Sequence, residues 1–455
     1  MKKLLVILFA LALVFSFTAP VMATDVSFDG SFRVRGFIDS NSMLQEGSSS
    51  TAYYDQRFRL GTVFQVAEGL KVVTRFDALD GTWGNDLRSP AANIATGAIN
   101  HDANIQFDKA YVEFVTSVGV VKAGFRSDGT WGTSFGNLEG FVPKIGFTTK
   151  VGDVILNVHT VKKTEADAGT RFSDRDDDSY RAFAIYNKDD IQAGLIWIYE
   201  RQANDPNLLN TFLMAYGGEP QVQATANILS PYFKATIGDL YIEGEAGWLD
   251  GTLDLSKCSP AERALLALPA PFPGLTNDVD LEGLRVYLKA KYNIGSSYVG
   301  GLFAFVQGDD PNTTTVENML DSGGDWDPML ILFNDTCPTS LGSNGTVLTP
   351  SMTGAAMTNG YIYQVFAGTA IDKLAVKASL SMAKADENGG TVAAPYVSDD
   401  YGTEFDLEAA YKIYDNLTYS AGFGYLWAGD YYKGTSATNT VDNTYLLMNK
   451  LQVVF

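Results

Sequence analysis

The side chains best suited to chemistry are nine cations near the start of the chain. Arg33, Arg35, Arg57, Arg59, Lys71, Arg75, Lys109, Lys122 and Arg126 all fall on the polar parity of segments that alternate apolar and polar residues. Such groups are lasting positive charges that attract anions and orient dipolar solutes. They are not nucleophiles, and catalysis has little else to use. The two histidines, His101 and His159, stand without a serine-nucleophile motif or a phosphate-cradling glycine loop. The chain is therefore read as a non-enzyme with no catalytic residue, no cofactor and no metal site. Asp174, Asp176, Asp177 and Asp178 form an acidic run but lack the glycine and distal glutamate of a calcium loop. They read as a solvated loop.

Strands must position these cations. Val26, Phe28, Gly30, Phe32 and Val34 share one parity, while Ser27, Asp29, Ser31, Arg33 and Arg35 share the other. A period of two places the sets on opposite faces of a strand. The pattern repeats around the tight turn Ala67-Glu68-Gly69. Phe58, Leu60, Thr62 and Phe64 oppose Arg57, Arg59 and Gln65, and Val72, Thr74 and Phe76 then oppose Lys71, Arg75 and Asp77. This is a hairpin with an apolar face and a charged face. Beyond the first residues, no stretch has the unbroken apolar run of about 18 residues that a spanning helix needs.

Connection lengths separate the two ends of these strands. Short turns are expected near residues 67–69, 116–119, 151–153, 187–190, 238–239, 293–296, 372–373 and 414–416. Long polar connections lie between them, at about 39–53, 80–104, 127–142, 163–178, 201–223, 251–280, 309–357, 386–401 and 430–441. Short turns at one end and long loops at the other are the pattern of an outer-membrane barrel. One strand at each chain end and two beside each turn predict an all-β, antiparallel, up-and-down transmembrane β-barrel of eighteen strands, both termini on the periplasmic side. The count falls to sixteen if 143–162 is not a hairpin.

The N-terminus bears on compartment. Lys2 and Lys3 precede an apolar run over residues 4–17, and Val21-Met22-Ala23 supplies the small residues a signal peptidase reads. Residues 1–23 are read as a cleaved signal peptide and 24–455 as one barrel. Removing the two lysines leaves 31 basic against 53 acidic residues, a net charge of −22. That acidity argues against nucleic acid as a partner and suits solvated loops. The 44 glycines and 12% aromatics spread along the whole length, with no linker to divide it. Cys258 and Cys337 fall in loops, where an exported chain is read as pairing them in a disulfide, two inert thiols being the alternative.

The final strand places Tyr445, Leu447, Leu451, Val453 and the terminal Phe455 on one parity. It resembles the signature by which bacterial outer-membrane proteins are handed to the barrel assembly machinery. With the stretches YDQRFRLGTVFQVAEGLKVVTRFDA, FDKAYVEFVTSVGVVKAGFR and GTEFDLEAAYKIYDNLTYSAGFGYLWAGDYY, the whole mature length resembles the Gram-negative outer-membrane porin superfamily, whose general and substrate-selective members have 16–18 strands.

The resemblance implies a bacterial outer-membrane location among lipid and lipopolysaccharide, and passive diffusion of small hydrophilic solutes and ions through a water-filled barrel. A substrate-selective sugar or polysaccharide channel is the alternative, and an occluded structural or adhesive surface barrel a second. It also implies that the loop at 127–142 folds inward, with Asp128 and Glu139 at a constriction. Facing the basic wall, these acids would set a transverse field across the lumen. Of the long surface loops at 251–280 and 309–357, either could plug the pore. Gly-Thr-Trp-Gly occurs at 81–84 and at 129–132. Trp83 and Trp131 are read as loop anchors, with sugar stacking the alternative. Six tryptophans are too few for a long sugar track. Homotrimer and monomer stay open, because trimer-facing and lipid-facing walls are equally apolar.

Overall fold

Segments that alternate Val, Ile, Phe, Tyr and Thr with polar residues form strands because β-branched and aromatic side chains pack well on a pleated surface. The computed structural model of the chain describes residues 25–41, 43–45, 48, 50–84, 105–166, 175–204, 213, 222–266, 277–334, 341–342 and 356–455. The signal segment, His101, Asp174 and Cys337 lie outside these residues.

The barrel begins with β1 (Asp25–Asp39), β2 (Thr51–Ala67), β3 (Leu70–Thr82), β4 (Ile105–Thr116), β5 (Gly119–Asp128) and β6 (Gly140–Val151). It continues with β7 (Val154–Thr164), β8 (Asp177–Lys188), β9 (Ile191–Gln202), β10 (Gln223–Ile237), β11 (Leu240–Asp254) and β12 (Val279–Ile294). Next come β13 (Ser297–Val306), β14 (Gly360–Ile371) and β15 (Leu374–Lys384), then a separate small hairpin of β16 (Gly390–Thr391) and β17 (Ala394–Pro395). Three last strands, β18 (Asp400–Tyr414), β19 (Leu417–Ala428) and β20 (Thr444–Val454), complete the ring.

Successive barrel strands pair antiparallel, and β1 pairs with both β2 and β20, so eighteen strands close on themselves. The closing seam runs from Ser31 opposite Val454 to Asp39 opposite Leu446. The 143–162 segment is a true hairpin, paired from Lys144 opposite Val161 to Val151 opposite Val154, which excludes sixteen strands.

Eight connections at one end are two-residue turns, at 68–69, 117–118, 152–153, 189–190, 238–239, 295–296, 372–373 and 415–416. Five of them open on a left-handed residue: Gly152, Gly238 and Gly295 at φ of 59–60°, Asp189 at 51° and Asp372 at 52°. Glycine takes that conformation without a steric penalty and aspartate tolerates it, which is why these residues stand at the turns.

The strands reach further into the opposite end than the sequence reading placed them. β5 and β6 stay paired up to Asp128 opposite Gly140, so the inward loop is 129–139. β11 extends to Asp254 and β12 starts at Val279, which shortens the next loop likewise. Ladder pairing satisfies backbone groups that a loop would leave to water, so it runs on while both strands have length. A short helix, α1 (Pro260–Leu266), sits in the loop after β11. Ser259 and Glu262 cap it reciprocally: the Ser259 amide donates to Glu262 Oε2 at 2.7 Å and the Glu262 amide to Ser259 Oγ at 3.3 Å. Cys258 is buried beside Leu255 and Leu266 in an apolar cluster.

The outward parity is apolar and exposed, as at Phe28, Phe107, Ile145, Val158, Val365 and Ile371. Packing at the seam is tight. The Gly30 and Phe455 amides each donate to the other's carbonyl, at 2.8 and 3.0 Å, and a Cβ on Gly30 would lie 2.5 Å from the Arg59 carbonyl oxygen. Gly30→Val is expected to destabilise the barrel by about 1–3 kcal/mol through overpacking. Heat-modifiability on gels would show it as a lower unfolding temperature than the parent.

Candidate functional site: the charged interior and its inward segments

The polar parity lines the barrel interior, and its cations are matched across strands. Arg35 sits in register with Asp55 and donates to both its oxygens at 3.0 and 2.7 Å. Arg59 does the same with Asp77 at 2.6 and 2.7 Å, and Arg57 lies 3.7 Å from that carboxylate. Lys71 and Lys122 flank Glu113 from either side, each at 2.9 Å. Directly opposed charges of this kind contribute about 0.2–1 kcal/mol per pair. A bulge between β3 and β4 turns Asp108 to the same side as Lys109, and Arg75 Nε donates to it at 3.1 Å.

The predicted basic wall is thus a mixed ladder: Asp55 and Asp77 share the polar faces with its cations, as their parity implies, and Asp108 and Glu113 join it without having been expected there. Parity with Lys109 was the available signal for Glu113, whereas Asp108 has the opposite parity and reaches the interior only through the bulge. Arg33 and Arg126 differ from the other seven: among the described residues neither joins an ion pair, and the Nε of each is buried without a hydrogen-bond partner.

Residues 129–139 leave β5 and cross toward β10–β12. Trp131 Nε1 donates to the Ser230 carbonyl at 3.0 Å, and its ring meets Phe183 and Tyr232 at 5.3 and 5.0 Å. The Thr133 amide and hydroxyl both donate to Glu245 Oε2 at 2.8 Å. Phe135 stacks on Tyr287 at 5.1 Å, with Trp326 edge-on at 5.0 Å. At the loop's exit Glu139 takes Arg75 at 3.3 Å, Lys109 at 3.4 Å and the Ser127 hydroxyl at 3.1 Å. Burial alone would raise the Glu139 carboxyl, but Arg75 and Lys109 outweigh it and hold it below the usual range. Its contribution is therefore present at neutral pH and lost only as pH falls through that lowered value.

The resemblance placed Asp128 in the loop beside Glu139. Asp128 instead ends β5 as a wall residue, held by Lys144 at 3.0 Å and Arg181 at 2.7 Å, because the β5–β6 ladder extends that far.

A second segment also runs inside. Leu320 packs where a Cβ on Gly283 would fall, and the Leu330, Ile331 and Leu332 amides donate to the buried Glu404 carboxylate at 2.8, 2.7 and 2.8 Å. This part of the 309–357 connection lies inside the barrel instead of on the surface, where a segment able to plug the pore would lie. The two segments join across the interior. The Gly136 amide donates to the Ser322 carbonyl at 2.5 Å, the Asp325 amide to the Asn137 carbonyl at 2.8 Å, and the Glu139 amide to Asp325 Oδ2 at 2.7 Å.

Beside this junction lies a cavity of about 320 Å³ whose charged lining is Lys122, Arg126, Lys144, Arg181 and Arg285 against Asp128. His159 and Trp131 also line it.

The two Gly-Thr-Trp-Gly motifs behave differently. Trp131 pins the inward loop, whereas Trp83 stacks on Tyr54 at 5.3 Å and donates to Gln56 Oε1 at 2.9 Å on the outer face. The acids at 176–178 tie strand ends together. Asp176 pairs with Lys162, Asp178 lies 3.0 Å from Lys162, and Asp177 accepts the Ala203 and Asn204 amides at 2.8 and 3.0 Å.

This is a closed eighteen-stranded antiparallel barrel with a charged interior narrowed by inward segments, and solved structures share the fold. Acinetobacter baumannii OccAB1 matches at 12% identity over 96% of this chain and 98% of that one, with a TM-score of 0.55. Pseudomonas aeruginosa OccK9 (OpdG) matches at 14% over 95% and 99%, with 0.52, and OccK8 (OprE) of the same organism at 12% over 95% and 98%, with 0.51. At these identities the likeness is one of fold. No protein-family model and no curated protein sequence matches the chain.

Glu245→Ala removes the acceptor of both Thr133 bonds. At about 0.5–1.5 kcal/mol for each hydrogen bond, the two together contribute about 1–3 kcal/mol. Amide exchange at Thr133 is then expected to speed up roughly tenfold or more, since 1.4 kcal/mol corresponds to a factor of ten. Exchange mass spectrometry over residues 130–136 checks this.

Proposed function

We propose that the chain is an outer-membrane channel through which small hydrophilic solutes and ions diffuse passively, with no catalytic step. One observation carries this reading: a closed barrel with an apolar exterior encloses a wall of ionised side chains that would be costly to keep away from water. The joined segments at 129–139 and 316–334 narrow the way through and favour small solutes. The cavity lined by Arg126, Lys144 and Arg181 offers anions a foothold. The sugar-track reading has less support, because the Trp131 ring is taken up by Phe183 and Tyr232.

The same proposal has the chain exported, cut after Ala23 and delivered by the assembly machinery that reads the strand ending in Phe455. It then stands among lipid and lipopolysaccharide, with its outer loops stapled by a Cys258–Cys337 disulfide. An intact mass that begins at Thr24 and is lighter by two hydrogens than the reduced chain is the expected result.

Reconstitution in a planar bilayer should give stepwise ionic conductance, and a consistently silent protein overturns the channel. In a salt gradient, replacing Arg33 and Arg126 with glutamine should move the reversal potential toward cations. An unmoved potential would mean that these two unpaired arginines do not face the conducting path.

A further inference from the structure

The outer wall carries an apolar trough over β8. Two cross-strand rows put alanine at the centre: Val158, Ala182 and Trp197 in one, Leu156, Ala184 and Leu195 in the next. The four flanking side chains are well exposed, and the alanines between them leave a groove one strand wide, of about 530 Å³ and almost wholly apolar. In hydrocarbon such a groove must be filled, because an empty one forfeits dispersion contacts along its walls.

Further along the same parity of β8 come Tyr186 and then Lys188, at the end carrying the two-residue turns. From Ala184 to Lys188 the strand advances roughly 13 Å. Lys188 Nζ lies 3.8 Å from Asp153 Oδ2, both half-exposed, and Asp189 and Asp190 are exposed in the adjoining turn. An exposed pair of this kind is weak and yields readily to a competing partner. The rim therefore offers one cation beside three carboxylates. Its complement is a head group that carries both a phosphate and an ammonium. A purely anionic head group would meet the carboxylates with nothing to offset them.

We propose that this trough binds one zwitterionic aminophospholipid of the periplasmic leaflet, its acyl chain over Ala182 and Ala184, its phosphate at Lys188 and its ammonium among Asp153, Asp189 and Asp190. The site rests on the membrane placement proposed above. It lies outside the conducting path, so the two can fail separately.

The test is native mass spectrometry of the full chain in mild detergent doped with dioleoyl phosphatidylethanolamine, and in parallel with dioleoyl phosphatidylglycerol. One retained phosphatidylethanolamine per chain is expected, held at least tenfold better than phosphatidylglycerol. Ala184→Phe fills the trough and should cut retention tenfold or more. Lys188→Ala leaves the trough open and should weaken retention and lower the preference between the two lipids. Heat-modifiability confirms that each variant is folded, and bilayer conductance equal to the parent's keeps this result apart from the channel reading. The proposal is overturned if the parent retains no lipid, if both lipids are held equally, or if Ala184→Phe retains as much as the parent. It is equally overturned if the parent is an oligomer that Ala184→Phe dissociates, since a second copy would then fill the trough.

Discussion

Everything in this protein depends on the seam between the first strand and the last. A sheet of eighteen strands left open would expose two edges of unpaired amides and carbonyls, each costing several kcal/mol in hydrocarbon. Pairing β1 with β20 removes both edges. Gly30 makes room for the seam: without a Cβ it lets the Arg59 carbonyl and the Phe455 ring come close from either side. Closure then divides every side chain by parity into an outer apolar set and an enclosed polar one.

Enclosure raises the cost of an unmatched charge, and the interior meets that cost in two ways. Along the wall, opposed strands offset cations with carboxylates, as at Arg35–Asp55 and Arg59–Asp77. Across the interior, carboxylates receive backbone amides. Glu245 takes Thr133, Asp325 takes Glu139, and Glu404 takes three consecutive amides from Leu330 to Leu332. A chain segment folded into a barrel carries amides that no ladder satisfies, and buried backbone donors must find partners. Acids placed on the wall and on the crossing segments supply them. The same groups that make the interior polar therefore fix where it is narrow.

The outer face follows another logic. Its side chains have no protein partner to match, so shape decides what lies against them. Where alanines replace large residues on β8, the wall has a recess instead of a smooth surface. At its end Lys188 and nearby aspartates add polarity.

Much of this was legible in the residues themselves. The two-residue period assigned each strand its faces, short polar or glycine-bearing stretches such as those at Gly152, Asp189, Gly238, Gly295 and Asp372 marked turns, and counting the eight turns predicted eighteen strands. These features are local, set by backbone sterics and side-chain alternation within a few residues, so the sequence alone determined them. Only the tertiary structure decided that Asp128 belongs to the wall, that a bulge turns Asp108 inward, that Trp83 and Trp131 part company, and that residues 316–334 lie inside. Each of those outcomes depends on contacts between segments far apart in the chain. Such contacts have no period, and only closure of the ring determines which groups meet across the interior.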